Sequence, residues 1–214
     1  MRKYWFTLSL DDKMLENRDA FEQAARWFTS VVAEATGRFD EPGLGEWSIR
    51  DLVGHTSRAL LTVESYLEVP AATVELSAPV EYLASILATG VGHAAIAQRG
   101  KEAGASLGDD PAASVQAMSE RVLETLHKTP EDALVTTPVG GMRLIDYLPT
   151  RTLELTVHTC DLARALGQTL DLPSLPATQS LSIVTGLAIE AGKAGLLLLS
   201  TTGRQQLPFA FTVV

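Results

Sequence analysis

The feature that most limits what this chain can fold into is a recurrence of apolar residues every three or four positions. In the first long segment, Ser9 to Thr36, the residues Phe21, Ala24, Ala25, Phe28, Val31, Val32 and Ala35 recur at those spacings. Asp19, Glu22, Gln23 and Arg26 fall mainly on the other side. An α-helix turns once in ~3.6 residues, so this spacing gathers the apolar side chains into one stripe. Gly37 follows, where a helix ends most easily. Ser48 opens a second helix running to about Leu67. Asp51, three residues on, makes a variant capping box that satisfies orphan amides and complements the positive helix end. Leu52, His55, Ala59 and Thr62 share its inner face.

The rest of the chain is punctuated more heavily. Glu41 to Gly45 is a turn-rich linker, and Val69 to Pro79 reads as loop. Pro79 or Val80 to about Gln98 reads as a helix, with Gly90 and Gly92 each weakening it by ~1 kcal/mol. Gly100 to Asp110 reads as a second linker. Asp110-Pro111 is a cap followed by a first-turn proline, and Val115, Met118, Val122 and Leu126 carry that helix to about Lys128, before Thr129-Pro130. Leu134 to Leu144 suggests a small hairpin around Gly140-Gly141, with Pro138 limiting its pairing. Asp146 is expected to cap the next helix, with Pro149 in its first turn, and the helix ends at Leu166 before Gly167. Asp171 to Pro176 is a linker, Ala177 to Ala191 a helix, Leu196 to Leu199 ambiguous, and Gly203 to Val214 a tail with one strand. The expectation is an all-α fold of four long helices, one small β-hairpin and a short C-terminal helical or strand extension. Residues 1–170 form the bundle and residues 171–214 the extension.

Composition narrows the function classes. A chain of 214 residues is one full domain with something appended, at ~150 residues per domain, or one larger domain. The single cysteine, Cys160, excludes an internal disulfide framework and any site needing several thiolates from one chain, and it fits a reducing, cytoplasmic compartment. A net charge of −9 argues against nucleic-acid backbones and anionic membrane surfaces. The apolar patch Tyr4 to Leu10 stops at Asp11-Asp12, too short for a signal-peptide core. Glu190 and Lys193 interrupt Leu181 to Ser200, so no membrane span is expected there.

The chemistry concentrates between Arg151 and Asp161. Glu154 and His158 are four residues apart and leave one helical face, close to Leu153, Val157 and Leu162. An unpartnered polar group on such a face costs several kcal/mol, on the order of 2–7, if buried. One explanation is a metal ion, with His55 from another helix as third ligand. Two histidines and one glutamate are a catalytic zinc set with an open position, and they also suit nickel or iron. The plain alternatives are a surface ion pair of Glu154 with Arg151 or neighbours, a satisfied core histidine for His158, and a helix-start histidine bonded to a backbone carbonyl for His55. Asp161 either orients His158 or is a solvated or Arg164-paired residue. Arg151 either meets an anionic substrate or is a surface arginine. Trp47 reads as a packing anchor where its helix begins, Cys160 as a small hydrophobe facing away from the Glu154 face, His93 as a surface or packing histidine, and His127 as a helix C-terminal cation.

Two motifs carry a resemblance. Gly45-Glu46-Trp47-Ser48-Ile49-Arg50-Asp51-Leu52-Val53-Gly54-His55 resembles the first signature of the mycothiol-dependent maleylpyruvate isomerase family, and Glu154-Leu-Thr-Val-His158-Thr-Cys-Asp161-Leu-Ala-Arg164-Ala-Leu-Gly167 resembles its second. Thr137-Pro138-Val-Gly140-Gly141 and Thr202-Gly203-Arg204 with Leu207-Pro208 also resemble relatives. The resemblance implies a DinB/YfiT-like four-helix bundle and assigns His55, Glu154 and His158 as ligands of a divalent transition metal, zinc first. It implies mycothiol as co-substrate, a small electrophile as its partner, and a homodimer. A metal-bound thiol is deprotonated at neutral pH, and the thiolate is the nucleophile. Isomerases of this family carry a larger C-terminal domain, so the expectation is thiol transfer in the broader sense. Metal-assisted hydrolysis and a non-catalytic binding role are the alternatives.

Overall fold

The computed structural model describes residues 10–90, 92–130 and 132–214. Among them the chain is mostly helical, with one two-stranded antiparallel sheet. In order the elements are α1 (Leu10–Ala33), α2 (Ile49–Leu67), α3 (Pro79–Ala88), α4 (His93–Ala105), α5 (Pro111–Lys128), β1 (Leu134–Thr137), β2 (Gly140–Arg143), α6 (Leu144–Ala165), α7 (Ser174–Glu190) and α8 (Ala194–Thr201). Apart from Leu10, the apolar patch Tyr4 to Leu10 lies outside the described residues. No helix among the described residues is long and apolar enough to cross a membrane.

The strongest local signals act where expected. Ser48 Oγ accepts from the Asp51 amide at 3.2 Å, and Asp51 Oδ2 accepts from the Ser48 amide at 3.1 Å. Asp110 Oδ1 caps α5 through the Ala113 amide at 3.0 Å. Gly37 leaves α1 with φ +83° and Gly167 follows α6 with φ +72°, backbone that L side chains avoid. The stripe on α1 is buried, and α1 and α2 each pack against both α5 and α6. Phe21, Phe28, Leu52, Leu60, Val115, Leu148 and Leu155 share one core, to which α7, lying against α6 and α1, adds Ile183 and Leu187.

Other expectations are corrected, each for a tertiary reason. The segment Pro79 to Gln98 is not one helix: α3 stops at Ala88, Gly90 takes φ +65°, and α4 begins at His93. The supposed linker after Gly100 is helical to Ala105. Its glycines serve close approach. A Cβ on Gly104 would lie 2.9 Å from the Arg50 carbonyl oxygen, and one on Gly54 only 2.1 Å from the Gly104 nitrogen. Helices α2 and α4 therefore cross backbone to backbone. The hairpin turn falls at Pro138-Val139, while Gly140 and Gly141 belong to β2. A Cβ on Gly141 would sit 2.1 Å from the Thr73 oxygen, so glycine there admits the 73–76 segment, whose Glu75 and Leu76 amides donate to the Gly141 carbonyl at 2.8 and 3.1 Å.

Asp146 does not cap α6. The helix already begins at Leu144, and the buried Asp146 carboxylate accepts from Arg143 Nε at 2.6 Å. Pro149 consequently lies inside α6 rather than in its first turn. A proline there leaves the carbonyl four residues earlier without its helical donor. That carbonyl belongs to Ile145, and the Asn17 amide of α1 donates to it at 3.0 Å. Gln179 of α7 in turn donates to Asn17 Oδ1 at 2.7 Å. The ambiguous leucine run forms α8. The expected strand in Gly203 to Val214 does not form. Pro208 lacks the N–H a ladder needs, and the tail is held instead by Lys193 Nζ donating to the Thr212 carbonyl at 2.6 Å.

Candidate metal centre

Helix α6 presents Tyr147, Arg151, Glu154 and His158 at spacings of four, three and four, which places them on one face. Helix α2 packs against α6 and carries His55 into that face. One ligand atom from each of His55, Glu154 and His158 lies within 4.8 Å of the others, and all three residues are half-buried. The two imidazoles meet edge to face, with centroids 4.8 Å apart and planes at 86°. His158 Nε2 is 3.5 Å from Glu154 Oε2, and His158 Nδ1 is 3.3 Å from Asp161 Oδ2. His55 Nδ1 is buried and has no hydrogen-bond partner among the described residues.

That orphaned nitrogen is a physical test of the donor set. A buried imidazole without a partner is costly, and a cation between it, a carboxylate and a second imidazole relieves the cost. The residues present fit a divalent transition metal. The carbonyl-bonded alternative for His55 and the Arg151 ion pair for Glu154 are not what forms: Glu154 pairs with His158, and no carboxylate lies within 4.0 Å of Arg151 among the described residues.

The electrostatics of the metal-free centre are unequal. Burial drives the His55 pKa down to about 4, helped by the positive charges of His158, Arg58 and Arg99 and opposed by Glu154. Burial disfavours the Glu154 carboxylate, but the hydrogen bond to His158 and the charge of Arg151 outweigh it and hold the pKa at about 2. Burial likewise disfavours the His158 cation, yet Asp161 and Glu154 raise its pKa to about 9. At neutral pH His55 is neutral, Glu154 anionic and His158 protonated. A metal must therefore displace one proton, from His158. Because that pKa is raised, competition from protons weakens as pH rises toward about 9, so affinity between pH 5 and 8 increases ~tenfold per unit. Zinc titration calorimetry at pH 7, in two buffers of different protonation enthalpy, should count about one proton released per metal. A count of zero would contradict this charge assignment.

Arg151 is not a solvated surface residue. Its guanidinium lies 5.0 Å over the Tyr147 ring and 5.8 Å from the Tyr82 ring centroid, and its Nε donates to Thr150 Oγ1 at 3.0 Å. Tyr66 and Tyr82 flank Tyr147, with ring centroids 5.4 and 5.5 Å from its own, and the buried Tyr147 hydroxyl has no hydrogen-bond partner among the described residues. Sequence reasoning missed these tyrosines, although Tyr147 stands four residues before Arg151 on the Glu154 face. Asp161 faces His158. Cys160 is half-buried, its thiol pKa is raised by burial, and it stands outside the cluster. His127 lies exposed at the end of α5, 3.3 Å from Glu22 Oε2. The side chain of His93 lies outside the described ones. Trp47 is packed as anticipated, 9% exposed, with its indole 4.6 Å from the His55 ring.

A family model described as the mycothiol maleylpyruvate isomerase N-terminal domain matches residues 18–163, a span that includes His55, Arg151, Glu154, His158 and Asp161. No curated protein and no solved structure matches the chain.

Proposed function

The chain belongs to the mycothiol maleylpyruvate isomerase N-terminal domain family, and from that premise we infer that it is a metal-dependent enzyme that activates a low-molecular-weight thiol for attack on a small electrophile. The observation that carries the reading is the convergence of His55, Glu154 and His158, with ligand atoms within 4.8 Å of one another, in a chain of this family. In this reading the four helices α1, α2, α5 and α6 are a DinB-like bundle, residues 1–170 are the catalytic unit and residues 171–214 its extension. Zinc is the metal, mycothiol the thiol, and the cytoplasm the compartment.

His55, Glu154 and His158 would hold the cation through two neutral imidazoles and one carboxylate. When bound, that ion lowers the proton affinity of a coordinating thiol, so that the thiolate prevails at neutral pH. The chain's own residues supply the rest. Asp161, opposite His158 Nδ1, fixes that ring's tautomer and orientation. Arg151, one turn before Glu154 and without a carboxylate within 4.0 Å among the described residues, receives an anionic group of the electrophile. The rings of Tyr82 and Tyr147 hold its guanidinium in place and exclude water from that side. The thiol gives up its proton to solvent, and its sulfur lone pair forms the new bond to the electrophilic carbon as that carbon's π bond opens onto the neighbouring atom, which takes up a proton, or as a leaving group departs with its bonding pair.

Cobalt-substituted protein tests the reading. Adding N-acetylcysteine or mycothiol should raise a near-ultraviolet sulfur-to-cobalt band, absent in His158→Ala. Stoichiometric cobalt uptake with a spectrum indifferent to thiol would sink the thiol reading and leave the metal centre standing.

A further inference from the structure

The two histidines of the centre are held differently. His158 is oriented by hydrogen bonding, with Asp161 Oδ2 3.3 Å from its Nδ1. A metal-ligating histidine almost always has such a partner on its second nitrogen, and losing that partner weakens metal binding ~10–100-fold. Among the described residues His55 has none on either nitrogen, whichever of the two faces the metal, and its Nδ1 is buried. What touches its ring instead is an indole. The Trp47 and His55 centroids are 4.6 Å apart with planes tilted by 34°, a tilted ring-on-ring contact.

The indole is itself fixed from outside the centre. Trp47 Nε1 donates to the Ala97 carbonyl of α4 at 3.1 Å. Its ring edge lies against Gly100, where a Cβ would stand 2.8 Å from both Cε2 and Cζ2. Helix α4 reaches this position through the glycine crossing at Gly54 and Gly104. None of these residues offers a ligand atom. All of them fix the plane against which the imidazole of His55 rests.

We propose that Trp47 is the positioning residue of His55: its indole, clamped by Ala97 and Gly100 of α4, sets the ring orientation that Asp161 sets for His158 by hydrogen bonding. Such a contact restrains rotation about the Cβ–Cγ bond without occupying either ring nitrogen. Among the described residues no protein group hydrogen-bonds the His55 ring, so the order of the free ring depends on packing.

The proposal rests on the metal reading of the centre, and its test separates the two. Zinc affinity is measured by chelator competition for wild type, Trp47→Leu, Trp47→Phe and Gly100→Ala. Side-chain order at the His55 and His158 ring carbons is measured by carbon-13 relaxation in the metal-free proteins. Trp47→Leu should weaken zinc binding ~10–100-fold, the range for losing an orienting partner. Trp47→Phe, which keeps an aromatic face, should recover most of it. Gly100→Ala, which displaces the indole without removing it, should weaken binding in the same direction. In metal-free Trp47→Leu the His55 ring should lose order while His158 keeps its own. Zinc affinity within about threefold of wild type in both Trp47→Leu and Gly100→Ala would overturn the proposal, as would a Trp47→Phe loss equal to that of Trp47→Leu. An unchanged His55 ring in metal-free Trp47→Leu overturns it too. Should wild type take up no zinc, the function reading fails, and the metal-free ring measurement still decides this one.

Discussion

Replacing Glu154 by glutamine is expected to leave a folded protein that has lost most of its affinity for zinc. Glutamine keeps the size of the side chain and its capacity to hydrogen-bond, and it removes only the charge. Glu154 supplies the only anionic ligand among the three, so the loss should exceed the ~10–100-fold typical of an outer partner. The same change has a signature in the metal-free protein. Glu154 is one of two carboxylates that hold the His158 pKa at about 9, so the variant should titrate lower, with Asp161 still supporting it. The side chain of Glu154 is partly exposed, so solvent screens its ion pair with His158 and limits the stability cost of the change. Chelator competition and an NMR titration of His158 read the two effects separately. Zinc affinity within threefold of wild type would mean that the carboxylate is not a ligand. An unmoved His158 titration would mean that the electrostatic account of the centre is wrong.

The second large effect lies outside the centre. Gly54→Val forces a side chain into the crossing of α2 and α4, where even a Cβ would stand 2.1 Å from the Gly104 nitrogen and 2.5 Å from the Ala103 carbonyl carbon and the Gly104 Cα. All three are backbone atoms, so no rotamer change relieves the clash. Overpacking costs ~1–3 kcal/mol where side chains can yield, and this site belongs at or above the upper end. For a chain of this length that corresponds to a fall in Tm of ~6–12 °C. Gly195→Ala is the matched control. Gly195 lies in α8, and a methyl group added there would meet nothing within 4 Å, so alanine should be neutral or stabilise by ~0.5–1 kcal/mol. Thermal unfolding followed by circular dichroism compares the pair. Equal Tm values would contradict the backbone-to-backbone crossing.

These two sites also show what sequence can and cannot carry. Glu154 and His158 are legible because a spacing of four is a local property of a helix. The caps at Ser48 and Asp110 and the stops at Gly37 and Gly167 are legible for the same reason: each is decided within a few residues. His55 belongs with Glu154 only once α2 lies against α6, which spacing alone does not determine. There the resemblance of two motifs supplied what periodicity lacked. Gly100 and Gly104 misled because a glycine has the same local preference in a linker as in a helix that another backbone must approach. Pro149 misled because its cost is offset by Asn17, more than a hundred residues away in the chain. The tyrosines around Arg151 come from α2, α3 and α6, so no single segment announces them.

The central claim is that His55, Glu154 and His158 hold one metal. It is tested most directly by the metal content of wild type and His55→Ala, each purified without chelator and measured by plasma mass spectrometry. The account predicts about one equivalent of a transition metal in wild type, as a single three-ligand centre requires, and loss of that metal in the variant. Wild-type protein that stays empty after reconstitution with zinc and with nickel, or a His55→Ala variant that retains a full equivalent, would contradict it.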